Sequence, residues 1–167
     1  MACLGVHFAL TAEEVATLKS IADDSERLDY LQEEIEEKYM ADSPDLVAET
    51  DKAWDAMHRL LSDGELSYYD GPEPLRFAVI GGEPIYAEDD YIMSLKTPEQ
   101  ARALAVALPI ITKEEFKQKY DEMDATKYGC SKSDEDFDYT WDWFSGVVAL
   151  YTKAAEANRY VLFTADQ

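Results

Sequence analysis

The sequence predicts one layered α/β domain over residues 1–167, with a small sheet that includes the N-terminal and C-terminal strands and is covered by five or six helices. Three observations predict it. The chain opens on an alternating apolar stretch and closes on the β-branched, aromatic run Tyr160 to Ala165. Between them, capping motifs introduce one amphipathic helical pattern after another. Hydrophobic residues make up 47% of the chain, which suits a packed core, and no repeat or linker divides it.

Along residues 3–10, Leu4, Val6, Phe8 and Leu10 fall on one face and Cys3, Gly5, His7 and Ala9 on the other. Both faces are small or apolar, as in a central strand covered on two sides. Thr11 and Glu14 form a capping box for a helix with Val15, Leu18 and Ile21 inward. Asp23-Asp24-Ser25 starts a second helix, with Leu28, Leu31 and Ile35 inward and Glu33, Glu34, Glu36 and Glu37 outward. Thr50 and Asp51 read as the N-cap of a third, whose stripe of Trp54, Met57, His58 and Leu61 ends near Gly64.

A Gly-, Pro- and Tyr-rich loop follows to residue 74. The apolar run Pro74 to Ile80 is too short to separate helix from strand, so both stay open there. Tyr91 to Leu95 reads as a strand. Thr97-Pro98-Glu99-Gln100 starts a helix burying Ala101, Leu104, Ala105 and Leu108 and closed by Pro109. Thr112 and Glu115 cap another helix to about Met123, and residues 124–134 read as a loop. The last helix presents Phe137, Trp141, Phe144, Val148, Tyr151 and Ala155 as its buried stripe.

Charge is the outlier in the composition. Thirty-six acids against fifteen bases leave a net −21, a field that repels nucleic-acid phosphate and anionic lipid and attracts cationic partners. Residues 23–51 concentrate it, with twelve acids and two bases. A solvated helix face accounts for such a run as readily as a docking surface does. No basic leader and no membrane-length apolar run is present, so a cytoplasmic protein with Cys3 and Cys130 as free thiols is expected.

Motifs for chemistry are absent. Asp134, Asp136, Asp138 and Asp142 match the first ligand positions of a calcium loop, but Tyr139 and Ser145 stand where glycine and glutamate are required. Two histidines and two isolated cysteines supply no zinc set, and neither a phosphate-binding glycine loop nor a nucleophile elbow occurs. No cofactor, metal or catalytic residue is therefore assigned. One local constellation stands out: Asp51, Trp54, Asp55 and His58 lie three or four residues apart, where a carboxylate could orient and charge an imidazole. A packed, hydrogen-bonded histidine on an apolar stripe is the plainer alternative. Gly81-Gly82 allows close backbone approach, to a ligand or simply within a turn.

Taken together, the opening strand with Thr11, the stretch Asp51-Lys52-Ala53-Trp54-Asp55-Ala56-Met57-His58-Arg59-Leu60-Leu61, the Ile80-Gly81-Gly82 turn, Thr97-Pro98-Glu99-Gln100 and the final aromatic helix and strand resemble the YfbM-like family of small bacterial proteins. The resemblance spans nearly the whole chain. It implies helices packed on a small sheet, supplies no activity, and makes Asp51, Trp54 and His58 the most characteristic patch. The acidity of residues 23–51 and the tyrosines at 68 and 69 depart from it.

Two functional expectations follow. The first is a non-enzymatic acidic protein that captures or neutralises a basic protein, as an immunity protein does, with Glu33, Glu34, Glu36 and Glu37 as docking residues. The second is a small-molecule-binding protein or enzyme with a pocket around Asp51, Trp54 and His58, flanked by Gly81 and Gly82. It requires His58 to line an open cleft within reach of a carboxylate.

Overall fold

The computed structural model describes residues 3–167. Its strands are β1 Gly5–Leu10, β2 Val47–Asp51, β3 Glu83–Pro84, β4 Tyr91–Lys96 and β5 Tyr160–Asp166, joined in one antiparallel sheet ordered β2-β1-β5-β4-β3. The two terminal strands pair at its centre, from Gly5 opposite Ala165 to Leu10 opposite Tyr160. The helices are α1 Ala12–Ser20, α2 Asp24–Tyr30, α3 Glu37–Asp42, α4 Trp54–Leu61, α5 Pro98–Ala107, α6 Lys113–Glu122, α7 Ala125–Tyr128 and α8 Asp134–Glu156.

Alternation along the strands divides the core in two. Phe8, Leu10, Met93, Leu95 and Leu162 face Val15 and Leu18 of α1 and Leu31, Ile35 and Tyr39 of the acidic helix. On the other face Ala9, Ile92, Val161, Phe163 and Ala165 meet α4, α5, α6 and α8 through Trp54, Met57, Leu104, Phe116, Phe144 and Tyr151. β1 is thus covered on both sides, as its two apolar faces require.

Local chemistry sets most element starts. Thr11 and Glu14 exchange both capping-box bonds, at 3.2 and 2.9 Å, and Thr97 and Gln100 do the same at 3.2 and 2.9 Å.

Four boundaries differ from the sequence expectation. The second helix runs from α2 to α3 through a π-helical stretch, Leu31–Glu36, whose wider turns keep Leu31, Ile35 and Tyr39 all buried. Thr50 and Asp51 do not cap α4; they end β2, with Thr50 buried and its hydroxyl donating to the Gly5 carbonyl at 3.0 Å. The N-cap position is Ala53, which makes no side-chain capping bond. Residues 124–134 contain α7, stopped by Gly129 at φ +74°, and α8 already begins at Asp134 under a Ser133 cap. The buried line of α8 runs Phe137, Thr140, Phe144, Val147, Leu150, Tyr151, Ala154, leaving Trp141, Val148 and Ala155 half-buried.

The run from Pro74 to Ile80 is neither strand nor regular helix: one 3₁₀ turn, Leu75–Phe77, leads into irregular backbone. Phe77 through Gly81 are nevertheless buried. Irregular buried backbone must find hydrogen-bond partners outside itself, and here side chains provide them. Tyr151 donates its hydroxyl to the Ala78 carbonyl at 2.8 Å, and His7 Nε2 donates to the same oxygen at 2.8 Å. The Lys96 amine donates to the Val79 carbonyl, and to that of Ser94 at 3.1 Å. Ser94 Oγ donates to the carbonyls of Ile80 at 2.7 Å and Gly81 at 3.2 Å. Each carbonyl left unpaired would cost about 1–3 kcal/mol.

Lys96 and His7 are fully buried. Burial drives the Lys96 amine well below its ordinary 10.5, and burial, with the Lys96 amine adding to it, lowers His7 to about 3. Both donate to buried backbone carbonyls. The unfolded chain takes up a proton at Lys96 that the folded chain refuses, so this group removes stability as pH falls below 10.5. Between about pH 7 and about pH 9.5 the urea midpoint of the protein should therefore rise with pH, and Lys96→Met should flatten that rise. Equal slopes in protein and variant would show that Lys96 is charged in the fold.

Candidate functional site, an acidic cleft at one end of the sheet

The three residues that the sequence groups together separate in space. His58 is fully buried; its Nε2 donates to the Ser67 carbonyl at 3.0 Å and its Nδ1 has no partner among the described residues. Asp55, the carboxylate one turn away, is taken by Arg59 at 2.6 Å. Burial lowers His58 to about 4, the reverse of the shift an orienting carboxylate would produce. Trp54 is buried against Phe163, its indole donating to the Cys3 carbonyl at 2.7 Å. Both side chains pack the core and pin neighbouring backbone. A shared pocket of Asp51, Trp54 and His58 is therefore not formed.

Gly81 and Gly82 serve packing too. A Cβ on Gly81 would sit 1.9 Å from the Arg76 carbonyl oxygen, and one on Gly82, at φ +132°, 2.6 Å from that of Leu95. Gly81 lets the segment fold back on its own backbone at Arg76, and Gly82 lets it lie directly on β4.

Asp51 has other company. Where β1 begins, β2 and β5 end and β4 starts, a cleft of about 520 Å³ opens against the acidic helix. Four carboxylates reach it from three elements: Glu36 from the π-helical stretch, Glu49 and Asp51 from β2, and Asp166 from β5. Its apolar wall includes Leu4, Met40, Tyr91 and Trp143. Asp51 occupies left-handed backbone at φ 48°, which an aspartate tolerates better than most residues, and so turns out of the strand. Tyr139 supports that end, accepting the Lys52 N–H at 3.3 Å and meeting Trp143 edge-on at 6.4 Å.

The electrostatics are uncompensated. Among the described residues no ion pair involves Glu36, Glu49, Asp51 or Asp166; Asp166 accepts the Leu4 N–H at 2.7 Å. Partial burial raises the Glu36 carboxyl above its ordinary value, and the neighbouring charges of Asp166, Glu37 and Glu49 add to it. Burial takes the Tyr91 phenol up to about 12, with Glu36 and Asp166 contributing to the rise.

Of the helix acids expected to face outward, Glu33, Glu34 and Glu37 are exposed, whereas Glu36 is half-buried in the cleft wall. The acidic band continues at the start of α2. There Asp23, Asp24, Glu88, Asp89 and Asp90 line a second groove beside Tyr86, which meets Tyr91 edge-on at 6.0 Å. The acids of α6 and α8, by contrast, interleave with lysines: Lys113 pairs with Asp138, and Lys117 with Asp121 and Asp134. Asp134, Asp136 and Asp138 lie on the opening turns of α8, and Asp136 accepts from Tyr120 and Tyr128 at 2.7 and 3.0 Å, so this run is a helix start rather than a cation loop.

Gly81→Ala should lower unfolding free energy by about 3 kcal/mol or prevent folding, since backbone and not a flexible side chain meets the added methyl. A loss under about 1 kcal/mol in chemical denaturation would show that the segment can shift.

Comparison with known proteins agrees on the fold. The family model for a domain of unknown function, DUF1877, matches residues 1–164. The crystal structure of YfbM from Escherichia coli, a protein of unknown function, is similar with a TM-score of 0.64 at 20% identity, covering 97% of this chain and 99% of that one. No curated protein matches. Among the described residues no helix is long and apolar enough to cross a membrane. The chain belongs to the DUF1877 family, the YfbM-like family that its motifs resemble.

Proposed function

We propose that the chain is a non-enzymatic binding protein that captures a basic protein partner on its acidic flank, neutralising it as an immunity protein does. The supporting observation is the difference between the two sides of the sheet. On the α6–α8 side lysines pair with neighbouring carboxylates; on the other side Lys19 pairs with Glu83 and Arg27 with Asp24, while Glu33, Glu34 and Glu37 stand exposed and outside any ion pair among the described residues. Their helix runs between two further acidic grooves. Unneutralised like charge on one flank destabilises the isolated fold slightly, and a cationic partner relieves that repulsion while being steered in by the field. Tyrosine, tryptophan and methionine at the same surface are side chains that anchor protein interfaces. Cytoplasmic residence belongs to the same reading, since the partner would be met where thiols stay reduced. The other surfaces suit a basic partner less, and nucleic acid is repelled by the same field.

The test uses pull-downs from the native cell lysate at low and high salt, followed by kinetics on the recovered basic protein. Glu33→Lys, Glu34→Lys and Glu37→Lys together should weaken capture at least about tenfold, mainly through a slower association rate, and the loss should shrink at high salt. Undiminished capture by this triple variant would reject the flank as the docking surface.

A further inference from the structure

The acidic cleft differs from the rest of the flank in having apolar walls. Leu4 is 45% exposed and Met40 38% exposed, and both border the cleft together with the half-buried Trp143 and Tyr91. The carboxylates of Glu36, Glu49 and Asp51 stand at the same opening. An apolar trough rimmed by carboxylates matches a side chain with an apolar stem and a cationic head. Among such side chains arginine fits best: its guanidinium stacks on indole and phenol faces and offers five donors to several carboxylates at once, whereas an ammonium is a compact, strongly hydrated point charge. A second copy of this chain is a poor occupant, because it would bring another net −21 to the same surface.

Resting on the reading of the flank as a capture surface, we infer that the cleft seats an arginine side chain of the basic partner, its stem along Met40 and Trp143 and its guanidinium among Glu36, Glu49 and Asp51. The helix acids outside then act as the long-range attractor, and the cleft as the anchor that slows dissociation.

The experiment follows the indole N–H signals of the protein in two-dimensional NMR, the Trp143 signal being identified by its loss in Trp143→Phe. Blocked tri-arginine, tri-lysine and tri-citrulline peptides and spermidine are titrated separately. Tri-arginine should shift the Trp143 signal saturably, at least about fivefold more tightly than tri-lysine, and tri-citrulline should leave it unmoved. The charge-neutral variant Glu36→Gln, Glu49→Gln, Asp51→Asn preserves side-chain shape and should weaken tri-arginine binding at least about tenfold. Equal shifts by tri-lysine, or tighter binding of spermidine, would overturn the arginine assignment. With the recovered partner, an unchanged dissociation rate in the neutral variant would overturn the anchor while leaving the flank reading intact. Loss of capture in the lysine triple variant, with the anchor variant unaffected, separates the two claims.

Discussion

The fold depends on a set of buried side chains that supply hydrogen bonds to a buried stretch of irregular backbone. Residues 77–81 lie between β4 and α8 without belonging to either regular structure. Their carbonyls are satisfied by Tyr151 from α8, His7 from β1, and Ser94 and Lys96 from β4. The arrangement joins three elements far apart in sequence through one short segment. It also requires an amine and an imidazole to be buried, a desolvation that lowers the pKa of both and is offset by the otherwise unmet needs of the backbone. Among the described residues neither group has a carboxylate partner, whereas the buried Arg59 is paired with Asp55.

The cleft differs. The sheet end where β1, β2, β4 and β5 converge brings together acids distant in sequence, Glu36, Glu49, Asp51 and Asp166, and among the described residues none of them is in an ion pair. The π-helical stretch sits between the helix's buried side and this cleft, holding Ile35 in the core while Glu36 faces the opening. A π-helical stretch, a left-handed aspartate and the end of β5 thus converge on one surface. Defects of this kind collect where a protein binds or acts.

Much of the fold was legible in the residues because local rules and tertiary packing agree there. The two-faced strand, read over residues 3–10 and formed by Gly5–Leu10, both capping boxes and the presence of a strand near each end of the chain follow from patterns of period two and 3.6. β2 was missed because only Ala48 and Thr50 are buried in its five residues, and an acidic run with two small buried positions reads as loop. The segment at 74–80 could not be decided because its conformation is fixed by partners from β1, β4 and α8, not by its own periodicity. The site was half legible. Acid density marked the helix, but spacing made His58 a candidate whose stripe turned out to be core, with Asp55 committed to Arg59. Asp166 and Trp143 carry no local signal linking them to Glu36; the packing of β5, α8 and the acidic helix around one end of the sheet brings them together.

The most direct test of this account is an NMR titration of the Lys96 side-chain nitrogen in the folded protein. On this account burial should make the Lys96 amine protonate only well below the ordinary 10.5. A Lys96 signal that stays ammonium until pH is raised into the ordinary lysine range would contradict it, because the interior would then hold a charge that the structure gives no counter-ion.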